Sequence, residues 1–350
     1  MIKFFRKIRQ RLLTENKFSK YLIYAIGEIV LVVIGIVIAL QLNNWNETRK
    51  SEDQFKAVLQ QLYTVIDQDI ERLTQIQYGL AKQIAIIDTI KQRPENINPK
   101  LLPHLLFYID LEPTDITSEV SYHLGFLNFN PANLRQSNLN KSLSSYGNSI
   151  NENFRASRKY VTSFLEKNNL PFPSVNFGHS AVNNYEFIDT NFFSDSEIEH
   201  AAKFLEDPLF KSAMKSLGSR KAWISSFVGD LLNLAKANLT AIKVYYPDVK
   251  LLYGNVGLVG DATQNNNWSK NIPLTLTNDL ESIWEADVVL KNGFVKFREG
   301  ENWYFNWGGD EFPEGSTQAY YGNNISVKAG KYHVILNLSE KTYQFIKQDN

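Results

Sequence analysis

The stretch Tyr21-Leu-Ile-Tyr-Ala-Ile-Gly-Glu28-Ile-Val-Leu-Val-Val-Ile-Gly35-Ile-Val-Ile-Ala39-Leu-Gln-Leu42 decides how the rest of the chain is read. It is apolar on every side except at Glu28. A helix rises about 1.5 Å per residue and the hydrocarbon core of a bilayer is about 30 Å thick, so about 20 such residues cross it. Residues 21–42 therefore predict a single transmembrane helix. A soluble core helix is usually shorter and keeps one polar face.

Charge on the two flanks gives the helix a direction. Residues 1–20 carry Lys3, Arg6, Lys7, Arg9, Arg11, Lys17 and Lys20 against Glu15 alone. Residues 43–56 carry Arg49, Lys50 and Lys56 against Glu47, Glu52 and Asp53. The excess of bases on the first flank keeps it on the cytoplasmic side and sends the rest across. The expectation is a protein of the bacterial inner membrane with a cytoplasmic segment over 1–20 and its bulk in the periplasm. A cleaved signal peptide is the rival. Against it, the apolar run is longer than a signal's core, and Ala39-Leu40-Gln41 offers no small-x-small cleavage site.

The 350 residues leave room for two domains beyond the anchor. Acids and bases balance at 37 each, and once the basic start is set aside the remainder is mildly acidic, which argues against a nucleic-acid partner. The absence of cysteine excludes disulfides, thiolate metal sites and cysteine nucleophiles. Four of the six tryptophans fall in the last hundred residues, and this divides the chain.

Ile2, Phe5, Ile8 and Leu12 recur at helical spacing among bases, a pattern suited to an anionic membrane surface. From residue 47 to 92 the apolar residues Leu59, Leu62, Ile66, Leu73, Ile76, Leu80, Ile87 and Ile90 alternate in steps of three and four, with Asp69 and Gln83 in the same stripe. That is a heptad pattern, compatible with a coiled coil, but its polar breaks favour a helix of a bundle. Arg93-Pro94 ends it. Shorter helices over 100–168 are expected to break near Pro113, Gly125, Pro131 and Gly147, and 169–193 reads as a loop. Ser194-x-x-Glu197 is a capping box, and Asp207-Pro208 opens a second long helix that Pro247 stops. Residues 47–248 thus predict a helical domain.

Beyond about Val249 the period changes to two. Val288–Leu290, Phe294–Phe297, Trp303–Phe305 and Tyr332–Leu336 read as strands separated by glycine-bearing turns, and 250–350 as a β-sandwich. Trp303, Phe305 and Trp307 would share one face. The fold class expected is α+β and multidomain: one transmembrane helix, a helical bundle, then an immunoglobulin-like sandwich.

Motifs for catalysis are missing. The five histidines are scattered without metal-ligand spacing, and no nucleophile elbow, Walker loop or dinucleotide fingerprint occurs. No catalytic residue, cofactor or metal ligand is assigned, and a binding role is expected over an enzymatic one. Two groups of residues stand out. Glu28 inside the span, with the small-residue face of Gly35 and Ala39, suits packing against a partner helix, or else Glu28 reaches the near headgroups. Trp268, Lys296 and Trp303 combine indole faces with a hydrogen-bond donor, the means by which a protein grips a sugar ring. The alternative for these tryptophans is the core of the sandwich.

Two resemblances extend the reading. The runs Met1-Ile-Lys-Phe-Phe-Arg-Lys-Ile-Arg-Gln10, Ala25-Ile-Gly-Glu28 and Ala39-Leu-Gln-Leu-Asn-Asn-Trp45-Asn-Glu47 resemble a Bacteroidetes family of membrane-anchored proteins of unknown function. That resemblance implies an inner-membrane anchor and no particular activity. Gly257–Thr263, Trp268, Ile272–Thr275, Gly293–Arg298, Trp303, Asn306–Gly309 and Gly330–Tyr332 resemble the sandwich repeats of the starch-utilisation outer-membrane lipoproteins SusE and SusF. The order Trp268, Lys296, Trp303 is also similar to glycogen-binding modules, where two tryptophans and a lysine hold an α-glucan. Here the module is single and joined to an anchor, whereas the lipoproteins carry several copies. The implied role is a membrane-anchored periplasmic binding protein whose partners are membrane lipid and a glycan. The alternative is a structural subunit of an inner-membrane assembly, with partner helices or a second copy of the chain.

Overall fold

The computed structural model describes residues 18–110, 118–154, 193–264, 267–301, 303, 305–319 and 322–348. The basic stretch 2–13, the break at Pro113 and nearly all of the 169–193 loop lie outside these residues. The chain is α+β: a helical N-terminal part followed by antiparallel sheets. It divides into two compact units, Met1–Lys56 and Ala57–Asn350.

Helix α1 runs from Phe18 to Gln92 without a break. In the first unit it carries the apolar run, long and apolar enough to cross a membrane, and none of its most apolar window is buried. The asparagines that follow do not interrupt it. Asn43 Nδ2 donates to Glu47 Oε1 at 2.9 Å, and Thr48 Oγ1 donates back to the Asn44 carbonyl at 2.8 Å. Each bond joins residues one turn apart, so these polar side chains are accommodated on the helix and do not end it.

In the second unit the heptad stripe is the buried one. Leu59, Leu62, Ile66, Asp69, Leu73, Ile76, Leu80, Gln83, Ile87 and Ile90 are all buried. The second long helix, α6 (Pro208–Tyr245), buries Phe210, Met214, Leu217, Lys221, Ile224, Val228, Leu231, Ala235, Asn238 and Ile242 in the same alternation of four and three. The two helices run antiparallel and close. A Cβ on Gly218 would stand 3.1 Å from Ile87, and one on Gly229 would stand 3.3 Å from Gln77. The seam is closed inside one chain, as a bundle requires.

The helix ends follow local chemistry. Helix α1 stops at Gln92, before Arg93-Pro94. Helix α5 (Asp195–Glu206) starts in the capping box: Ser194 N–H donates to Glu197 Oε2 at 2.8 Å, and Ser194 Oγ to the same oxygen at 2.7 Å. Asp207 Oδ1 caps α6 by accepting from Leu209 N–H at 2.8 Å. Helices α2 (Leu102–Asp110), α3 (Val120–Leu124) and α4 (Leu134–Asn148) lie between. Gly125 ends α3 as expected, but Gly147 does not break α4, which continues into a π-type turn over Ser149–Asn153. A Cβ at Gly147 would stand 3.0 Å from Ser121 Oγ and 3.3 Å from Val120. The glycine is there to let α3 approach.

Among the described residues eleven strands follow: β1 (Val256–Gly260), β2 (Asn267–Pro273), β3 (Thr275–Asn278), β4 (Ile283–Leu290), β5 (Gly293–Glu299), β6 (Asn306–Gly308), β7 (Glu314–Ser316), β8 (Gln318–Ala319), β9 (Ile325–Val327), β10 (Gly330–Asn337) and β11 (Thr342–Lys347). One sheet has the order β2-β1-β5-β6-β8, with β9 also paired to β5, and the other has the order β3-β4-β10-β11-β7. Val295, Phe297 and Trp307 of the first share a core with Trp284, Val334, Leu336 and Phe345 of the second. Of the expected strand Trp303–Phe305, the described residues Trp303 and Phe305 do not lie in a strand. Asn306 Nδ2 reaches back to the Trp303 carbonyl at 3.0 Å, holding a turn there, and the strand starts at Asn306. Trp307 alone of the three aromatics is in the core; Phe305 packs at its margin and Trp303 is 45% exposed.

A second, polar stripe of α1 seats the sheets. The Gln60 amide pairs with both backbone groups of Lys250, and Thr64 Oγ1 accepts from Leu252 N–H at 2.9 Å. Asp67 Oδ2 takes the Tyr253 hydroxyl at 3.2 Å and the Lys341 ammonium at 2.7 Å, and Glu71 holds the same ammonium at 2.9 Å.

On the bundle side Asp69 is 1% exposed and accepts hydroxyl hydrogen bonds from Ser118 (2.5 Å) and Tyr146 (3.1 Å). Burial pushes its carboxyl up to about 6, against the pull of those two hydroxyls and of Arg72. The unfolded chain releases this proton near pH 4, so the folded state loses stability as pH rises from about 4 to about 6, by up to ~3 kcal/mol. Asp69→Asn keeps an acceptor for both hydroxyls and removes the charge. Its urea unfolding should show a flatter pH profile in that window and higher stability at pH 7.5 than the parent; an unchanged slope would reject the assignment.

Candidate functional site

Strand β5 alternates. Val295 and Phe297 enter the core, so Lys296 and Arg298 lie on the opposite face of the sheet. On the other side of β1, strand β2 does not run in regular register. Leu258 faces Ile272, which would place Lys270 opposite Gly260; Asn267 stands there instead. Trp268, Ser269 and Lys270 are the extra residues of a large bulge, which leaves backbone carbonyls off the ladder.

Arg298 satisfies them. Its side chain is almost wholly buried, with Nη1 donating to the Trp268 carbonyl (3.2 Å), Nη2 to the Ser269 carbonyl (2.6 Å) and Nε to Asn271 Oδ1 (2.6 Å). The same guanidinium lies 4.7 Å from the centre of the Trp303 ring, within cation–π range. One buried cation therefore fixes both tryptophan-bearing segments. The indoles of Trp268 and Trp303 lie 6.1 Å apart between centroids, tilted by 42°. Trp268 is partly exposed and Trp303 more so.

Lys296 sits lower than a ligand-gripping lysine would. It is 9% exposed, and Nζ donates to Asn306 Oδ1 at 3.1 Å. Asn306 in turn holds the Trp303 carbonyl, so Lys296 supports the turn that carries the ring. Burial lowers its pKa to about 8, leaving it mostly protonated at neutral pH. The structure thus brings Trp268 and Trp303 together at the surface and places Lys296 beneath them. Arg298, Asn271 and Asn306 are added by the structure. The period-two pattern of β5 carries a signal for Arg298, one position along from Lys296 on the same face, whereas neither asparagine has one. Among the described residues no group of three or more His, Asp or Glu side chains is placed to hold a metal ion.

Glu28, Gly35 and Ala39 fall on one stripe of α1, seven and then four residues apart. Glu28 is half-buried and Ala39 exposed, and a Cβ added at Gly35 would meet nothing within 4 Å.

Residues 28–99 match a family of unknown function, DUF6090. The match covers most of α1 and the turn after it, and none of the sheets. No curated protein and no solved structure matches the chain. The similarity to an uncharacterised family expected for the N-terminal part is thus found, and it brings no activity with it.

Arg298→Met keeps the length of the stem and removes every donor. It should leave the Trp268 and Ser269 carbonyls unsatisfied, lower stability by about 1–3 kcal/mol and red-shift tryptophan emission. Arg298→Lys should not restore the parent spectrum, because an ammonium cannot reproduce the planar fork. A spectrum and melting curve like the parent's in both variants would show that the guanidinium does not hold the rings.

Proposed function

We propose that this protein is a single-pass anchored binding protein of the bacterial inner membrane, its N-terminus cytoplasmic and its bulk periplasmic. The two sheets are read as an immunoglobulin-like sandwich that presents Trp268 and Trp303 to a glycan. The observation that carries this reading is the 6.1 Å pairing of two partly exposed indoles over a buried guanidinium. Rings held in place before the ligand arrives lose little entropy on binding. The cations of the site are engaged within the protein, so what it offers a ligand is flat apolar surface, suited to the C–H faces of neutral sugar rings. The anchor rests on the exposed apolar run of α1 and on the basic residues before it.

Calorimetry on the full chain in detergent micelles, with α-glucan oligosaccharides and peptidoglycan fragments, tests the reading. Trp268→Ala and Trp303→Ala should each weaken binding by about tenfold or more, at about 1.4 kcal/mol per tenfold. Absence of binding to both ligand sets, or binding indifferent to both substitutions, would sink it.

A second reading treats the chain as a subunit of an inner-membrane assembly. It is favoured by the single stripe formed by Glu28, Gly35 and Ala39 on a helix face with open space beside it. Gly35→Leu should then abolish partner or self cross-linking in native membranes while leaving insertion intact. Cross-linking equal to the parent's would argue against a role for that face.

A further inference from the structure

A tryptophan stands where the apolar run of α1 ends. Trp45 follows Leu42 by three residues and is 63% exposed. The Arg49 guanidinium lies 5.5 Å from the centre of its ring, within cation–π range, and Arg49 Nη2 donates to Asn46 Oδ1 at 3.4 Å. Both residues belong to the unbroken helix α1 in the first unit, one turn apart.

Their order along the axis suits a boundary. A helical side chain leans toward the N-terminus, so a residue at 45 serves the surface of the turn before it, which holds Leu42. Arg49 reaches back onto the ring from the following turn. Apolar surface, indole and guanidinium thus succeed one another in the order in which hydrocarbon, glycerol and headgroups do. An indole has an apolar body and one N–H donor, and tryptophan is enriched at that level of a bilayer.

Helix length sets the other end. About 30 Å of hydrocarbon takes about 20 residues. Counting back from Trp45 reaches Ala25, next to Tyr24 and five residues after Lys20, so aromatic and basic residues recur where the span would end. Counting back from Leu42 instead would leave Trp45 about 4.5 Å out in water, beyond all apolar surface. The first placement also puts Glu28 only about 4.5 Å inside the other boundary, where a carboxylate costs less than at the centre.

The neighbours of Trp45 identify its partner. Gln41 and Arg49, one turn to either side, are polar, unlike the small or apolar face that a packed helix needs. Residues 43–56 carry three bases against three acids, so no net field favours anionic lipid. We propose that Trp45, with Arg49 on its water side, docks in the phospholipid headgroup layer whatever the headgroup charge, and fixes α1 at the depth that runs from Trp45 back to Ala25. This placement rests on the anchor reading and adds its depth and its lipid contact.

The test uses the full-length chain in dioleoylphosphatidylcholine vesicles. The chain has no cysteine, so Val37→Cys, Asn44→Cys, Thr48→Cys and Gln54→Cys each carry one nitroxide. Collisions with oxygen, which collects in hydrocarbon, and with a water-soluble nickel chelate read the depth of each label. The nickel-to-oxygen ratio should be low at 37, rise severalfold between 44 and 48, and stay level at 54. Adding Trp45→Ala should move the rise out of that interval, whereas Trp45→Tyr should keep it there. Phosphatidylglycerol added to the vesicles should not shift it. A rise outside 44–48, a rise unmoved by Trp45→Ala, a shift with phosphatidylglycerol, or low access of both reagents at 44 and 48, as under a protein cover, overturns the proposal. Vesicle flotation separates the two readings. A chain that does not float removes the anchor and this placement together, and one that floats with a misplaced rise removes the placement alone.

Discussion

The seating of the sheets on helix α1 depends on an ammonium held by two carboxylates. Lys341 lies at a turn between β10 and β11 and reaches Asp67 and Glu71, one helical turn apart on α1. Removing such charges from water costs several kcal/mol per ion, and this is offset only when geometry and partners are both good. Here one cation meets two anions, and Asp67 also accepts the Tyr253 hydroxyl. For the ammonium the pairing outweighs the desolvation, since its pKa is raised despite burial, and the geometry of the three groups also constrains how the sheets sit. Apolar contact between the helices and the sheets is non-directional, whereas Lys341 and the Gln60 amide accept only one register.

Helix α1 is consequently read from two sides at once. The heptad seam of α1 is used up by the bundle, and its neighbouring polar stripe by the sheets. This explains polar residues that look like defects in the sequence. Asp69 and Gln83 occupy core positions because each has a partner inside: Ser118 and Tyr146 for Asp69, the Tyr108 carbonyl for Gln83. A leucine in either place would pack the seam better and leave that inner partner without its acceptor or donor.

Local chemistry was legible. The stop at Arg93-Pro94, the Ser194–Glu197 box and the Asp207 cap each depend on residues within one turn of each other, and each is found where the pattern put it. The heptad stripe was legible for the same reason, because its period is local even though its partner is remote. What was hidden depends on distance. Gln60 meets Lys250 across 190 residues, and nothing near Gln60 marks it. Gly147 reads as a helix breaker because its use, the close approach of α3, is tertiary. Trp303 was assigned to a strand by period two, and an asparagine three residues later bends the chain away from it. The tryptophan pair was legible as two residue types in order. The bulge that presents Trp268 and the guanidinium that supports both rings were not, since a bulge is an event of register and no residue pattern announces it.

The sheet region then has two surfaces of opposite character, and the difference follows from what the protein has done with its cations. At the tryptophan face Arg298 is engaged by two backbone carbonyls and an asparagine, and Lys296 donates to Asn306. Their charge is directed at protein acceptors, and what reaches solvent is ring surface. At the cleft between helical and sheet residues Arg72 lies by the Phe305 ring, and Glu119 and Glu299 also border it. Charge there borders open space. Glu299 lies one residue beyond Arg298 on β5, on the opposite side of the strand, so alternation alone sends Arg298 to the bulge of β2 and Glu299 to the Gly254 backbone at the cleft.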